Sequence, residues 1–264
     1  MRPPPARVGV AFADIVTPAL LVSMPVLEAN EARMRAFLRG TGIALRPHAK
    51  LHKSAAFARW HMEASSAEPP CGFCAQTVGE AAACLNAGSD DVLLTNSLPR
   101  HGARRLAALA AAFPAAKVSA LVDCDEHVGT LEEAAREHNT ALGAFVEIEC
   151  GQDRCGAAPA SDAAVALAKA VRDSDVLQWR GLHVYHGAIQ HVRTSAERQQ
   201  RVDEGPAAAA RSTIARLEKA GVPVPCVTGG GTGTLFQDLA AGTHNELQPG
   251  SYLFMDADCA RARS

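Results

Sequence analysis

Short apolar runs alternate along the chain with longer Ala/Leu/Arg/Glu-rich stretches whose apolar residues recur at helical spacing, from about Thr17 to about Asp256. That rhythm predicts repeated βα units. Strands are expected at Ala19–Ser23, Ile43–His48, Gly72–Ala75, Val92–Thr95, Val118–Val122, Ala144–Ile148, Leu182–Tyr185, Pro225–Thr228 and Tyr252–Met255. Helices between them include Thr77–Ala87, Asp125–His138, Asp162–Asp173 and Ala196–Ala220. About eight units in series fit an α/β fold of the closed (β/α)8 TIM-barrel type better than a doubly wound sheet, which usually ends with about six strands. The pattern assigns residues 17–256 to the barrel, 1–16 to an N-terminal tail and 257–264 to a cut-off tail.

Barrels of this kind gather their chemistry at the C-terminal ends of the strands. Polar residues are dense at those places: His48-Ala-Lys50-Leu-His52, Gln76, Glu149 to Arg154, Tyr185 to His191, and Thr228-Gly-Gly-Gly-Thr232. Lys50 sits between two histidines just past an apolar strand. Desolvation and neighbouring cations both lower a lysine pKa, and a neutral amine is what forms a Schiff base with an aldehyde such as pyridoxal phosphate. The alternative is a solvated surface lysine. Thr228-Gly-Gly-Gly-Thr-Gly-Thr234 follows a Val/Pro-rich strand and can aim backbone amides at a phosphate. A plain flexible turn and a dinucleotide fingerprint are the competing readings, and the latter would place its glycines early in a βαβ unit.

Arg154 keeps its charge and a fixed fork of donors, so beside the cofactor's pyridine nitrogen it would keep that nitrogen unprotonated. It can equally be a surface arginine paired with Asp153 or another neighbour. Tyr185 can meet a phosphate or a cofactor face, and His191 can take a proton from a substrate hydroxyl. His48/His52 and His183/His186/His191 also allow a metal-dependent barrel hydrolase, but that reading leaves Lys50 and the triple glycine without a role. Cys71-Gly-Phe-Cys74 lacks the second pair that a structural zinc site needs, and no metal ligand is assigned.

Composition narrows the partners. The 264 residues carry 26 Lys+Arg against 28 Asp+Glu, a formal charge of -2, which lacks the basic footprint of nucleic-acid binding. With 48% apolar residues the chain can bury a large core, yet it has no run long enough to span a bilayer and no secretory leader, so a cytoplasmic protein away from membranes is expected. Eight scattered cysteines fit reduced thiols. Low-complexity stretches are minor: the proline-rich start, Ala207–Ala210 and a Ser/Glu/Pro loop at Ser65–Pro70.

The run Arg46-Pro-His-Ala-Lys-Leu-His-Lys53, after Thr17-Pro-Ala-Leu-Leu-Val22, resembles the cofactor-lysine segment of the D-threonine aldolase and D-serine dehydratase family, relatives of the alanine racemase barrel. Gln76-Thr-Val-Gly-Glu80, Gly151-Gln-Asp-Arg-Cys-Gly156, Tyr185-His-Gly-Ala-Ile-Gln-His191, Thr228-Gly-Gly-Gly-Thr-Gly233 and Asn245-Glu-Leu-Gln-Pro-Gly-Ser-Tyr252 follow in the family's order. The resemblance implies Lys50 as the Schiff-base lysine, Arg154 near the pyridine nitrogen, and Tyr185, Gly230, Gly231 and Thr232 around the phosphate. Gln76 would lie beside the cofactor and His191 would be the aldolase's base. It further implies cleavage of D-threonine and similar D-β-hydroxy-α-amino acids to glycine and an aldehyde, helped by a divalent metal such as Mn2+, in a homodimer. A D-serine dehydratase and a barrel that binds pyridoxal phosphate without turnover are the alternatives. The family continues into a β-rich C-terminal domain that holds its metal ligands, and this chain is expected to lack it.

Overall fold

The computed structural model describes residues 6–7, 9–64, 70–255 and 261. Eight strands form one sheet: β1 (Ala44–Leu45), β2 (Phe73–Ala75), β3 (Asp91–Leu94), β4 (Lys117–Val122), β5 (Leu142–Glu147), β6 (Leu177–Val184), β7 (Val227–Gly229) and β8 (Glu246–Leu247). Their order is β1-β8-β7-β6-β5-β4-β3-β2, and every pairing is parallel. The ring closes between its two ends just beyond β1. Cys71 N donates to Leu45 O at 2.8 Å, Cys74 N donates to Pro47 O at 2.9 Å, and His48 bridges Cys74 in parallel. The sheet is therefore the parallel barrel that the βα rhythm predicts.

The helices are α1 (Met24–Leu38), α2 (Ala55–Ala64), α3 (Val78–Asn86), α4 (Arg100–Ala112), α5 (Asp125–Glu137), α6 (Asp162–Asp173), α7 (Ser195–Glu204), α8 (Pro206–Lys219) and α9 (Leu235–Ala241). Their starts follow local chemistry. Thr77 caps α3 by accepting from Glu80 N at 3.2 Å, and the Glu80 carboxylate reaches back to Gln76 N at 2.8 Å. Ser161 caps α6 through Ala164 N in the same way. Strand alternation sorts the core into two layers. Val92, Leu94, Val118 and Val122 pack outward against the helices, whereas Cys74, Leu93, Leu121 and Phe145 fill the barrel's inside.

Three expectations fail. Ala19–Ser23 is extended but joins no strand, and Leu20 and Leu21 are exposed, since no described strand lies beside it. Tyr252–Met255 is a turn region, and the eighth strand is Glu246–Leu247 instead. An apolar run betrays burial, not conformation: Tyr252 and Leu253 are buried without pairing. The helix expected over Ala196–Ala220 is two helices, because Gly205 leaves helical geometry and Pro206 starts α8 without an N–H to continue the earlier turn. Seven described cysteines are free thiols, while Cys259 and the loop residues 65–69 lie outside the described residues. Among the described residues no helix is long and apolar enough to cross a membrane.

Candidate active site

Past the end of β1 the chain makes a 3-10 turn, Ala49–Leu51, that carries Lys50 into the barrel mouth. His48 caps this turn: its Nδ1 accepts from Lys50 N at 3.3 Å, and its Nε2 lies 3.2 Å from Thr95 Oγ1 just past β3. Burial lowers the Lys50 pKa, and the Arg154 charge lowers it further against opposing contributions from Cys74 and Glu80. Burial also holds His48 well below its ordinary value, with Lys50 and His183 adding to the effect. The Tyr185 ring, beyond β6, lies between two cations. Lys50 Nζ is 5.9 Å and Arg154 Cζ 5.4 Å from its centroid, within cation–π reach.

Arg154 reaches inward from the loop after β5. The Glu149 carboxylate shapes that loop by accepting from Gly151 N at 2.7 Å and Asp153 N at 2.9 Å. Arg154 Nη2 donates to Glu147 Oε1 at 2.6 Å, so its ion pair is with the buried carboxylate at the end of β5 and not with Asp153. Burial pushes the Glu147 carboxyl up, but His183 and Arg154 outweigh it and hold it at about 2. His183 Nδ1 lies 3.5 Å from the same Glu147 oxygen.

The glycine run after β7 has no space for side chains. A Cβ on Gly230 would strike the Asp238 carboxylate and Leu247, and one on Gly231 would sit 2.6 Å from Gln190 Oε1. Gly230 has φ +66, which only glycine adopts without strain. Gln190 braces the following turn by accepting from Gly233 N at 2.7 Å, and Thr232 Oγ1 accepts from Tyr252 N at 3.1 Å.

These pieces surround one open cavity of about 180 Å³, with Lys50, Arg154, Tyr185, His191, Gly231 and Thr232 on its wall. Gly230 lies behind that wall. Gln76 is exposed past β2, where its carbonyl accepts from Asn96 Nδ2, and it does not line the cavity. His191 is at the exposed rim. Glu147 and Gln248 carry no role in the sequence reading, and His183 enters it only as a candidate metal ligand. Gln248 links the mouth to the floor: its Oε1 lies 3.3 Å from His183 Nε2, and its Nε2 donates to Thr228 Oγ1 at 2.7 Å. Thr228 donates in turn to Glu246, which holds Arg46 through two bonds of 2.7 and 3.0 Å. Only their place at or near the C-terminal end of a strand could have flagged them: Glu147 ends β5, His183 is the second-to-last residue of β6, and Gln248 follows β8.

A closed parallel barrel with a partly desolvated lysine and a side-chain-free glycine turn at its mouth is a barrel of the alanine racemase kind. The description "Alanine racemase, N-terminal domain" matches residues 22–258, and the chain belongs to that family. It is 37% identical over 259 residues to a 3-hydroxy-D-aspartate aldolase of Paracoccus denitrificans (strain Pd 1222), and 37% identical over 257 residues to a D-threonine aldolase of Arthrobacter sp. Each match covers 97% of this chain and 65% of the relative, so the chain spans just under two thirds of their length. The crystal structure of D-threonine aldolase from Filomicrobium marinum superposes with a TM-score of 0.91 at 38% identity, over 100% of this chain and 69% of that one.

Proposed function

We propose that this chain is the barrel half of a pyridoxal-phosphate-dependent lyase that cleaves D-threonine and related D-β-hydroxy-α-amino acids to glycine and an aldehyde. The observation that carries the reading is Lys50. Its side chain still reaches solvent, but its amine is partly desolvated and shares one cavity wall with Arg154, Tyr185 and the glycine turn.

The donor set fits the cofactor. Glycines at 230 and 231 let the turn pack against Asp238, Leu247 and Gln190 without side chains, and the Gly231 backbone and Thr232 hydroxyl stand on the cavity wall, which suits a phosphate. Lys50 Nζ would be the amine that holds the cofactor's carbonyl carbon. Arg154, fixed by Glu147, places a permanent charge near the ring nitrogen, and Tyr185 packs between the two cations. His191 accepts the proton of the substrate β-hydroxyl at the rim. Gln76, outside the cavity wall, serves the cofactor only from its edge. Pyridoxal phosphate, when bound, supplies the electron sink for the charge left on Cα as the Cα–Cβ bond breaks. A divalent ion such as Mn2+, if bound, would supply polarisation of the hydroxyl, and the working unit in this reading is a cytoplasmic homodimer.

Similarity favours an aldolase over a dehydratase: the two aldolases above are 37% identical, against 27% for a D-threo-3-hydroxyaspartate dehydratase of Delftia sp. (strain HT23). The test is borohydride reduction of the chain mixed with pyridoxal phosphate, followed by peptide mass mapping and an aldehyde assay with D-threonine and Mn2+. An adduct on Lys50 that is absent from Lys50→Ala, with aldehyde released, supports the reading. No adduct removes it, and an adduct without aldehyde reduces it to a binding barrel.

A further inference from the structure

Away from the cavity that holds Lys50, three side chains of different chemistry converge at the C-terminal end of β4. Asp123 and Cys124 follow the strand, and His127 lies in the first turn of α5. One carboxylate oxygen, the thiol sulfur and an imidazole nitrogen all lie within 4.8 Å of one another, and among the described residues no other three His, Cys, Asp or Glu side chains do so. We propose that Asp123, Cys124 and His127 are the protein ligands of a divalent ion of the zinc class.

The argument begins with His127 Nδ1. Asp123 Oδ1 lies 2.6 Å from it and Cys124 Sγ 3.3 Å from it. A ring nitrogen carries either one proton or one lone pair, so it cannot make a full hydrogen bond to both. A cation between the three atoms engages all of them at once. The same geometry excludes a thiol–imidazole–carboxylate relay, because a relay places its nucleophile and its orienting carboxylate on opposite ring nitrogens. Here both meet Nδ1.

The remaining features fit an ion. Tetrahedral zinc, with bonds of about 2.0 Å to nitrogen and oxygen and about 2.3 Å to sulfur, holds its ligand atoms roughly 3.3–3.6 Å apart. The sulfur–nitrogen separation of 3.3 Å is within about 0.2 Å of the value for that pair. The Asp123–His127 contact must open by several tenths of an ångström, which side chains exposed to 17% and 27% can do. A mixed N, O and S set selects zinc or cobalt over calcium and magnesium, which prefer oxygen alone. The other carboxylate oxygen, Asp123 Oδ2, accepts from Gly156 N at 3.0 Å, which fixes the carboxylate's orientation in the manner of an outer-shell partner. Finally, Cys124 is exposed and His127 borders an open cavity between α4 and α5, so water can reach the cluster to complete the coordination. The ion would stand one hydrogen bond from the loop that carries Arg154.

The test titrates Co2+ into the reduced, chelator-treated chain and follows the near-ultraviolet thiolate-to-cobalt band and the visible bands of tetrahedral cobalt. One ion per chain with both sets of bands is expected. Cys124→Ser should abolish the thiolate band, and His127→Gln, which removes a direct ligand, should weaken binding by at least the roughly 10- to 100-fold typical of losing an outer-shell partner, with both variants melting as the parent does. No thiolate band in the parent chain overturns the proposal, as does a band that survives in Cys124→Ser. The readout needs neither cofactor nor substrate, so it stands apart from the lyase assignment.

Discussion

Two arginines inside the same barrel show what separates a structural cation from a chemical one. Arg46, at the floor, is buried; Glu246 takes two of its bonds and Asp91 Oδ1 a third at 2.9 Å. Arg180 closes the cluster on Asp91 Oδ2 at 2.7 Å. Arg154, at the mouth, is about two-fifths exposed, shares one buried carboxylate with His183, and presents its guanidinium over Tyr185 on a cavity wall. Enclosed charges surrounded by partners hold the strands in register. A charge with one anchor and one open face is placed to meet a ligand.

The largest effect should come from the floor. Arg46→Leu leaves Glu246 and Asp91 in the interior without their main partner and should cost about 3–5 kcal/mol, read as a drop in thermal midpoint. Arg154→Leu, half-exposed, should cost far less and act instead on pyridoxal-phosphate binding. Equal losses from the two would erase the contrast. Next comes Glu147→Gln, which takes the anchor from Arg154 and should cost about 1–3 kcal/mol, with weaker cofactor binding by absorbance titration.

Acid should probe the mouth more gently. Burial, with His61 adding to it, depresses the His52 pKa to about 4, below the ordinary 6.5 of the unfolded chain. The unfolded state therefore binds the proton first, and stability falls as pH drops from 6.5 towards 4. Glu147, depressed to about 2 from 4.5, contributes stability present above pH 4.5 and lost as pH falls towards 2. Urea midpoints across this range should decline in two stages, and Glu147→Gln should shrink the second, to which the depressed Glu246 also contributes. The smallest change, Thr77→Ala, removes one helix cap and should cost about 1 kcal/mol by the same measurement, which sets the scale for a change that touches neither arginine.

The mouth was far more legible in the sequence than the floor. Lys50, Arg154, Tyr185 and the glycine turn follow apolar runs, and the barrel geometry says where such residues point. The partners were not legible. Arg46 and Glu246 stand 200 positions apart, and nothing local marks two charges that meet across a closed sheet. Glu147 ends an apolar strand and is the natural candidate for a solvated end, until the ring of strands turns it inward. The long strands β4, β5 and β6 announce themselves by burial, whereas β1 and β8 have two residues each and are held by backbone bonds that leave no hydrophobic signature.

The short join between β1 and β2 has a mechanical consequence. His48, the residue that bridges to Cys74 and completes the ring, stands two positions before Lys50 and caps its turn. The stave that closes the cask is thus the one that carries Lys50. Any breathing of the barrel there would swing Lys50 out of line, and whatever bolts Lys50 to a ligand also rivets the cask shut. Slower amide exchange at Cys74 on adding ligand would register both as one event.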